Sequence, residues 1–168
     1  MFEILKMASA QKKSIALDTR LGNPIENEIA PTPSPMNKQK DLKMYHKYIL
    51  KWGQRIASIG IYNCMGHVWA SRRTAIYSEK AQKNILSDDG YTELLLTDNP
   101  FPDDLVVYED KDSDYFLHIG RVMFIMGDEV KILSKWDDSS GEYLHSPEDV
   151  PWYNKFPNIR TYYITERK

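Results

Sequence analysis

Along the chain the spacing of apolar positions changes twice, and each change predicts a different kind of element. Residues 8–40 carry few aliphatic side chains and no aromatic one, and they include Pro31-Thr32-Pro33-Ser34-Pro35, a run that favours extended chain without internal hydrogen bonds. Such a stretch buries too little apolar surface to offset its ordering entropy. Residues 1–40 are therefore expected to form a disordered or extended leader rather than a strap across the body. From Asp41 the pattern becomes helical: Leu42, Tyr45, Ile49, Trp52 and Ile56 recur at intervals of three and four, one apolar face with Asp41 as its N-cap. Asn63 is placed to cap a second helix running through Cys64 to about Arg73. A third helix is expected from Ser78 to Ser87, with Glu79 near its positive end and Gly90 as its stop.

Beyond Pro102 the period becomes two. Asp104 to Tyr108 reads as a short strand, Tyr115 to Met126 as a long one, Gly127-Asp128 as a turn and Glu129 to Trp136 as the return strand of a hairpin. Residues 137–157 look loop-rich, and Ile159 to Thr165 reads as a last strand. Helices first and an antiparallel sheet afterwards is the α+β pattern. The expected organisation is a leader over 1–40 and one domain over 41–168.

Composition narrows the function classes. The chain has 168 residues, room for one domain of ordinary size. No run approaches the roughly 20 apolar residues of a membrane span, and the first residues lack the basic segment and cleavage site of a signal peptide. The cytoplasm is the default expectation, with signal-independent export left open. Net charge is −2, but residues 1–60 hold ten basic against five acidic side chains and residues 61–168 twelve against nineteen. An acidic body argues against a nucleic-acid surface, which needs clustered Lys and Arg. The basic leader could meet a protein partner, although a solvated tail explains it as well. The single cysteine excludes an internal disulfide and any multi-cysteine metal site. The acidic run Glu109, Asp110, Asp112, Asp114 lacks the glycine and terminal glutamate of an EF-hand and reads as a solvated loop. No phosphate-cradling glycine loop or dinucleotide fingerprint is present, so neither a metal nor a cofactor is expected. The four tryptophans read as core or cleft-wall residues.

Cys64 carries the chemistry. A lone cysteine is ordinarily a small buried hydrophobe, but this one falls in the first turn of a predicted helix, where free N–H groups and the helix dipole favour a thiolate. A nucleophilic cysteine also needs an imidazole. His46 lies on a polar helix flank. His67 shares the helix of Cys64, a poor arrangement for aligning a base. His118, early in the long strand, could face the helix end. His145 lies in the loop-rich section and is either an orienting third residue or an ordinary loop histidine.

These segments follow one another in a familiar order: Asn63-Cys64 opening a helix, Asp103-Asp104-Leu105-Val106-Val107-Tyr108, then His118-Ile119-Gly120-Arg121-Val122 and a hairpin. The order resembles the papain-like NlpC and CHAP cysteine amidases and peptidases over about residues 58–136. Leu133-Ser134-Lys135-Trp136 and Tyr143-Leu144-His145 are similar to an uncharacterised bacterial branch of that group. The resemblance implies helices packed on a small antiparallel sheet, Cys64 as nucleophile and His118 as base. It puts Tyr62 beside the site as an oxyanion donor. The third polar residue of those enzymes usually opens the strand after the histidine strand. Here the nearest positions are Ser134 and Lys135, neither of the usual type. Either His145 takes over from the loop and hydrogen-bonds His118, which is the expectation, or a backbone carbonyl holds the imidazole. Ser134 is expected as a substrate-side position. Asp103 stands where those families usually have glycine.

The expectation is a cysteine-dependent amide hydrolase, with peptide amides, bacterial cell-wall peptide foremost, as the implied substrate. Deamidation and acyl transfer use the same scaffold. The alternatives are a non-catalytic binding or immunity module on the same fold, and an exported effector acting as a deamidase or protease on host protein.

Overall fold

The computed structural model describes residues 13–47, 51, 54–113, 115–151 and 158–167. Helices α1 (Pro35–Met44), α2 (Cys64–Trp69) and α3 (Glu79–Asp88) accompany strands β1 (Gln54–Ile56), β2 (Thr92–Glu93), β3 (Leu105–Asp110), β4 (Tyr115–Met126), β5 (Glu129–Lys135), β6 (Glu142–His145) and β7 (Ile159–Thr165). The strands form one antiparallel sheet in the order β1-β6-β5-β4-β3-β7-β2. The fold is therefore α+β, with β3 to β6 as a meander and β7 laid against the outer side of β3.

Strand alternation divides the core into two layers. Leu105, Val107, Ile119 and Ile164 face the helices and pack with Met65, Val68, Ile76, Ala81 and Ile85. Val106, Tyr108, Val122 and Ile132 face the opposite way and pack with Val150. α2 lies on β4 and β5. Its six residues are too few to hold a helix by propensity alone, and packing explains its position. Gly66 lies so close to the Thr74 carbonyl oxygen that a methyl there would overlap it.

Three expectations change. In the segment expected as a leader, residues 13–34 lie on the body as an extended strap and residues 35–40 begin α1. Ile25 enters the helix-side core. Glu28 exchanges backbone hydrogen bonds with Ala75, as Ala30 does with Ile61, and the Thr19 hydroxyl donates to Asp88. Long-range backbone pairing supplies what the poor apolar content could not.

The first helix also differs. Ser34, not Asp41, is the N-cap, accepting from the Asn37 N–H, with Pro35 at the first helical position. The helix ends at Met44, Leu42 is 46% exposed, and Asp41 is buried inside the helix. Ile56 belongs to β1, while Ile49 and Trp52 lie outside the described residues. Finally, the loop-rich section contains β6, whose register with β5 puts Ser134 opposite Tyr143 and Ile132 opposite His145. Trp152 lies outside the described residues. The second helix starts as expected but ends at Trp69 rather than near Arg73, while the third helix, the hairpin and the last strand agree with expectation. Among the described residues no helix is long and apolar enough to cross a membrane.

Candidate active site

Asn63 fixes the start of α2. Its Oδ1 accepts from the N–H groups of Gly66 (2.9 Å) and Ile76 (3.1 Å), and its Nδ2 donates to the Ile76 carbonyl. One side chain thus caps the helix and ties it to the segment that leads into α3. Just ahead, Ile61 adopts φ 74°, a conformation costly for a β-branched residue. Two backbone hydrogen bonds with Ala30 of the strap, one donated by each residue, hold it there. The strap therefore sets the approach to Cys64.

Cys64 is half-buried and faces a cavity of about 420 Å3 that His118 also lines. The cavity opens where the sheet is incomplete. Pairing of β4 with β5 runs only as far as Arg121 opposite Leu133, and a bulge between Tyr108 and Glu109 shifts the register against β3. His118 is buried and stands opposite Tyr108 in the strand register, ring to ring at 5.7 Å, in the layer away from the helices. Contrary to expectation, no hydrogen bond joins it to Cys64 among the described residues.

The electrostatics differ from the expected thiolate. Burial pushes the Cys64 thiol up to about 11. The N–H groups of Ile119 and Met65 oppose this, and the Asp138 carboxylate adds to it. Burial also holds His118 well below the ordinary histidine value, with the nearby His145 and His67 acting in the same direction. At neutral pH the site holds a protonated thiol and a neutral imidazole, because desolvation outweighs a helix end only six residues long.

The structure does not bring the other expected residues to this cavity. The Tyr62 hydroxyl donates to Glu142 Oε1 at 2.7 Å, so it is not an oxyanion donor beside Cys64. Arg72 forks onto the same buried carboxylate through Nε (2.5 Å) and Nη2 (2.9 Å), and His67 completes the cluster with Nε2 at 3.9 Å. His67 is thereby part of a structural polar cluster.

His145 makes no hydrogen bond to His118. Its Nδ1 faces the Ser146 carbonyl at 2.8 Å and its Nε2 the Ser134 hydroxyl at 2.9 Å. A carbonyl only accepts, so Nδ1 carries the proton and Ser134 donates to Nε2. Both ring nitrogens are thus occupied, and burial lowers the His145 pKa to about 4. Ser134 is itself fully buried, and its hydroxyl stands against Gly120. Neither residue reaches the cavity.

Other residues take those places. Gln82 on α3 lines the cavity and is 4% exposed, yet its carboxamide makes no hydrogen bond among the described residues. It lies beside Ala81 and one turn before Ile85, and a polar residue on that buried stripe is the sequence signal for it. The loop after β5 forms the opposite wall. There Asp137 Oδ1 accepts from the Ser139 and Ser140 N–H groups, an Asx-type turn that the run Asp137-Asp138-Ser139-Ser140 signals. Lys135 holds this wall from behind, donating to the carbonyls of Ile59, Asp138 and Ser140. Burial brings its pKa down to about 8. No family model, curated protein or solved structure matches the chain.

Proposed function

We propose that this chain is a cysteine-dependent amide hydrolase with a papain-like arrangement of helix and sheet. The observation that carries the reading is that Cys64, at an Asn63-capped helix start, and the buried His118 line one cavity. Asp103 adds support: it takes φ 74° where the NlpC-type pattern has glycine.

In this reading Cys64 Sγ attacks the amide carbonyl carbon as its proton passes to His118. The N–H groups at the start of α2 stabilise the developing oxyanion. His118 then protonates the leaving amine, and water hydrolyses the thioester. Burial disfavours both the thiolate and the imidazolium, so in this reading the proton moves only as the thiol attacks and no resting ion pair forms. Peptide amides are the substrate class, with bacterial cell-wall peptides first among them.

One observation favours a binding module instead: a thiol held near 11 is a poor nucleophile at rest. The test is hydrolysis of cell-wall peptides and a peptide-amide panel by wild type, Cys64→Ala and His118→Ala. The hydrolase reading expects release of amine by the wild type and loss of about a hundredfold or more in each variant. No hydrolysis by folded wild type, or undiminished hydrolysis in Cys64→Ala, supports the binding module or another nucleophile.

A further inference from the structure

We propose that the Cys64 cavity selects substrates bearing a cationic group, an ammonium or guanidinium, close to the amide presented to the thiol. The proposal rests on reading the cavity as the active site. Two carboxylates, those of Asp137 and Asp138, and the aromatic residues Tyr77, Phe116 and Trp136 line it, and among the described residues no lysine or arginine does.

The two carboxylates are not equivalent. That of Asp137 is taken up by its own turn and by the Tyr45 hydroxyl at 2.7 Å. That of Asp138 interacts with the Tyr77 hydroxyl, which leaves acceptor capacity for an incoming donor. Lys135, the ammonium behind the wall, is turned onto three carbonyl oxygens.

Gln82 provides the independent observation. It is 4% exposed and lines the cavity without a hydrogen bond among the described residues, so its carboxamide is open to a group that enters there. Its oxygen and the Asp138 carboxylate are both acceptors. An ammonium or guanidinium has enough N–H groups for both, and aromatic walls favour a cation further. The bound cation would also offset the Asp138 charge that helps keep the Cys64 thiol protonated. A matching substrate would thus make its own nucleophile more available.

Cys64 is the only cysteine, so thiol modification reads this cavity alone. The probes are three methanethiosulfonates, carrying aminoethyl, methyl and sulfonatoethyl groups. Each transfers its thioalkyl group to the Cys64 thiolate, forming a mixed disulfide and releasing methanesulfinate. The readout is the aminoethyl-to-sulfonatoethyl rate ratio for the folded protein, divided by the same ratio in denaturant. It is expected to be about tenfold or more, to fall with added salt, and to approach one in Asp138→Asn. The methyl reagent corrects for changes in the thiol itself.

A normalised ratio near one in the wild type overturns the proposal, as does an unchanged ratio in a folded Asp138→Asn. If that variant does not fold, the salt dependence in the wild type decides: a ratio insensitive to salt counts against the proposal. A ratio that holds while no amide is hydrolysed removes the hydrolase reading and leaves a cation-selective cavity. Amide hydrolysis with a ratio near one does the reverse.

Discussion

Three of the four histidines are buried and neutral, and this predicts a steep loss of stability in mild acid. Burial lowers His67 and His145 to about 4 and holds His118 well below its ordinary value. The unfolded chain binds these protons near pH 6.5. Between the two values unfolding takes up protons, so stability is present above pH 6.5 and is lost as pH falls toward 4. His67 and His145 each cost about 2 kcal/mol between pH 7 and pH 5, about 4 kcal/mol together, and His118 adds to this in the same direction. That is a large part of the whole stability of a typical domain, about 5–15 kcal/mol.

Other groups shape the profile at lower pH. Burial and Asp137 hold Asp41 above the usual carboxylate range, and burial does the same to Asp138, so both partly offset the loss. Glu142 acts the other way: burial raises it, but Arg72, His67 and Tyr62 together hold it below its ordinary value. Its contribution is present above its unfolded pKa and is lost as pH falls below that. The assay is urea unfolding from pH 7 to pH 4.5. Between pH 6 and pH 5 the free energy should fall by about 2.5 kcal/mol or more, near 1.4 kcal/mol for each proton taken up. His67→Gln, if folded, should take up about one proton fewer on unfolding. A slope below about 1.4 kcal/mol per pH unit, fewer than one proton, would refute the reasoning.

Three further outcomes are expected. Tyr62→Phe should cost about 1.5–3 kcal/mol in urea unfolding, because a buried carboxylate loses a donor, while Cys64 alkylation stays within about twofold; a large change in Cys64 reactivity with stability intact would restore Tyr62 to the site. Gly66→Ala should lower stability by about 2 kcal/mol or more, since the added methyl meets the Thr74 carbonyl, and an unchanged melting temperature would mean that α2 packs less closely on that segment. Ile25→Ala should cost about 2–4 kcal/mol, and a neutral effect would mean that the strap contributes little to the core.

Local signals were legible in the sequence, and distant pairings were not. Asn63 caps α2 and Ser78 caps α3 through bonds three residues long, and the Gly127 turn needs only its own positive φ. The strap is held instead by pairings of Ala30 with Ile61 and Glu28 with Ala75, which leave no periodicity to read. The candidate site divides in the same way. Cys64 and His118 stand out as residue types next to readable elements. Tyr62 is claimed by Glu142, eighty positions away, and His145 by Ser134 and Ser146. Gln82 reaches the cavity because α3 packs against the sheet. The thiol's protonation followed from burial, which the position of a helix start does not reveal.

The most direct measurement is intact mass after acid quench of the protein turning over a hydrolysed peptide amide. With a single cysteine in the chain, an acyl thioester can form only on Cys64. The account predicts an adduct of the acyl fragment's mass on Cys64, released by hydroxylamine, absent in Cys64→Ala and strongly reduced in His118→Ala. Hydrolysis that proceeds at the wild-type rate in Cys64→Ala, with no adduct in the wild type, would contradict it.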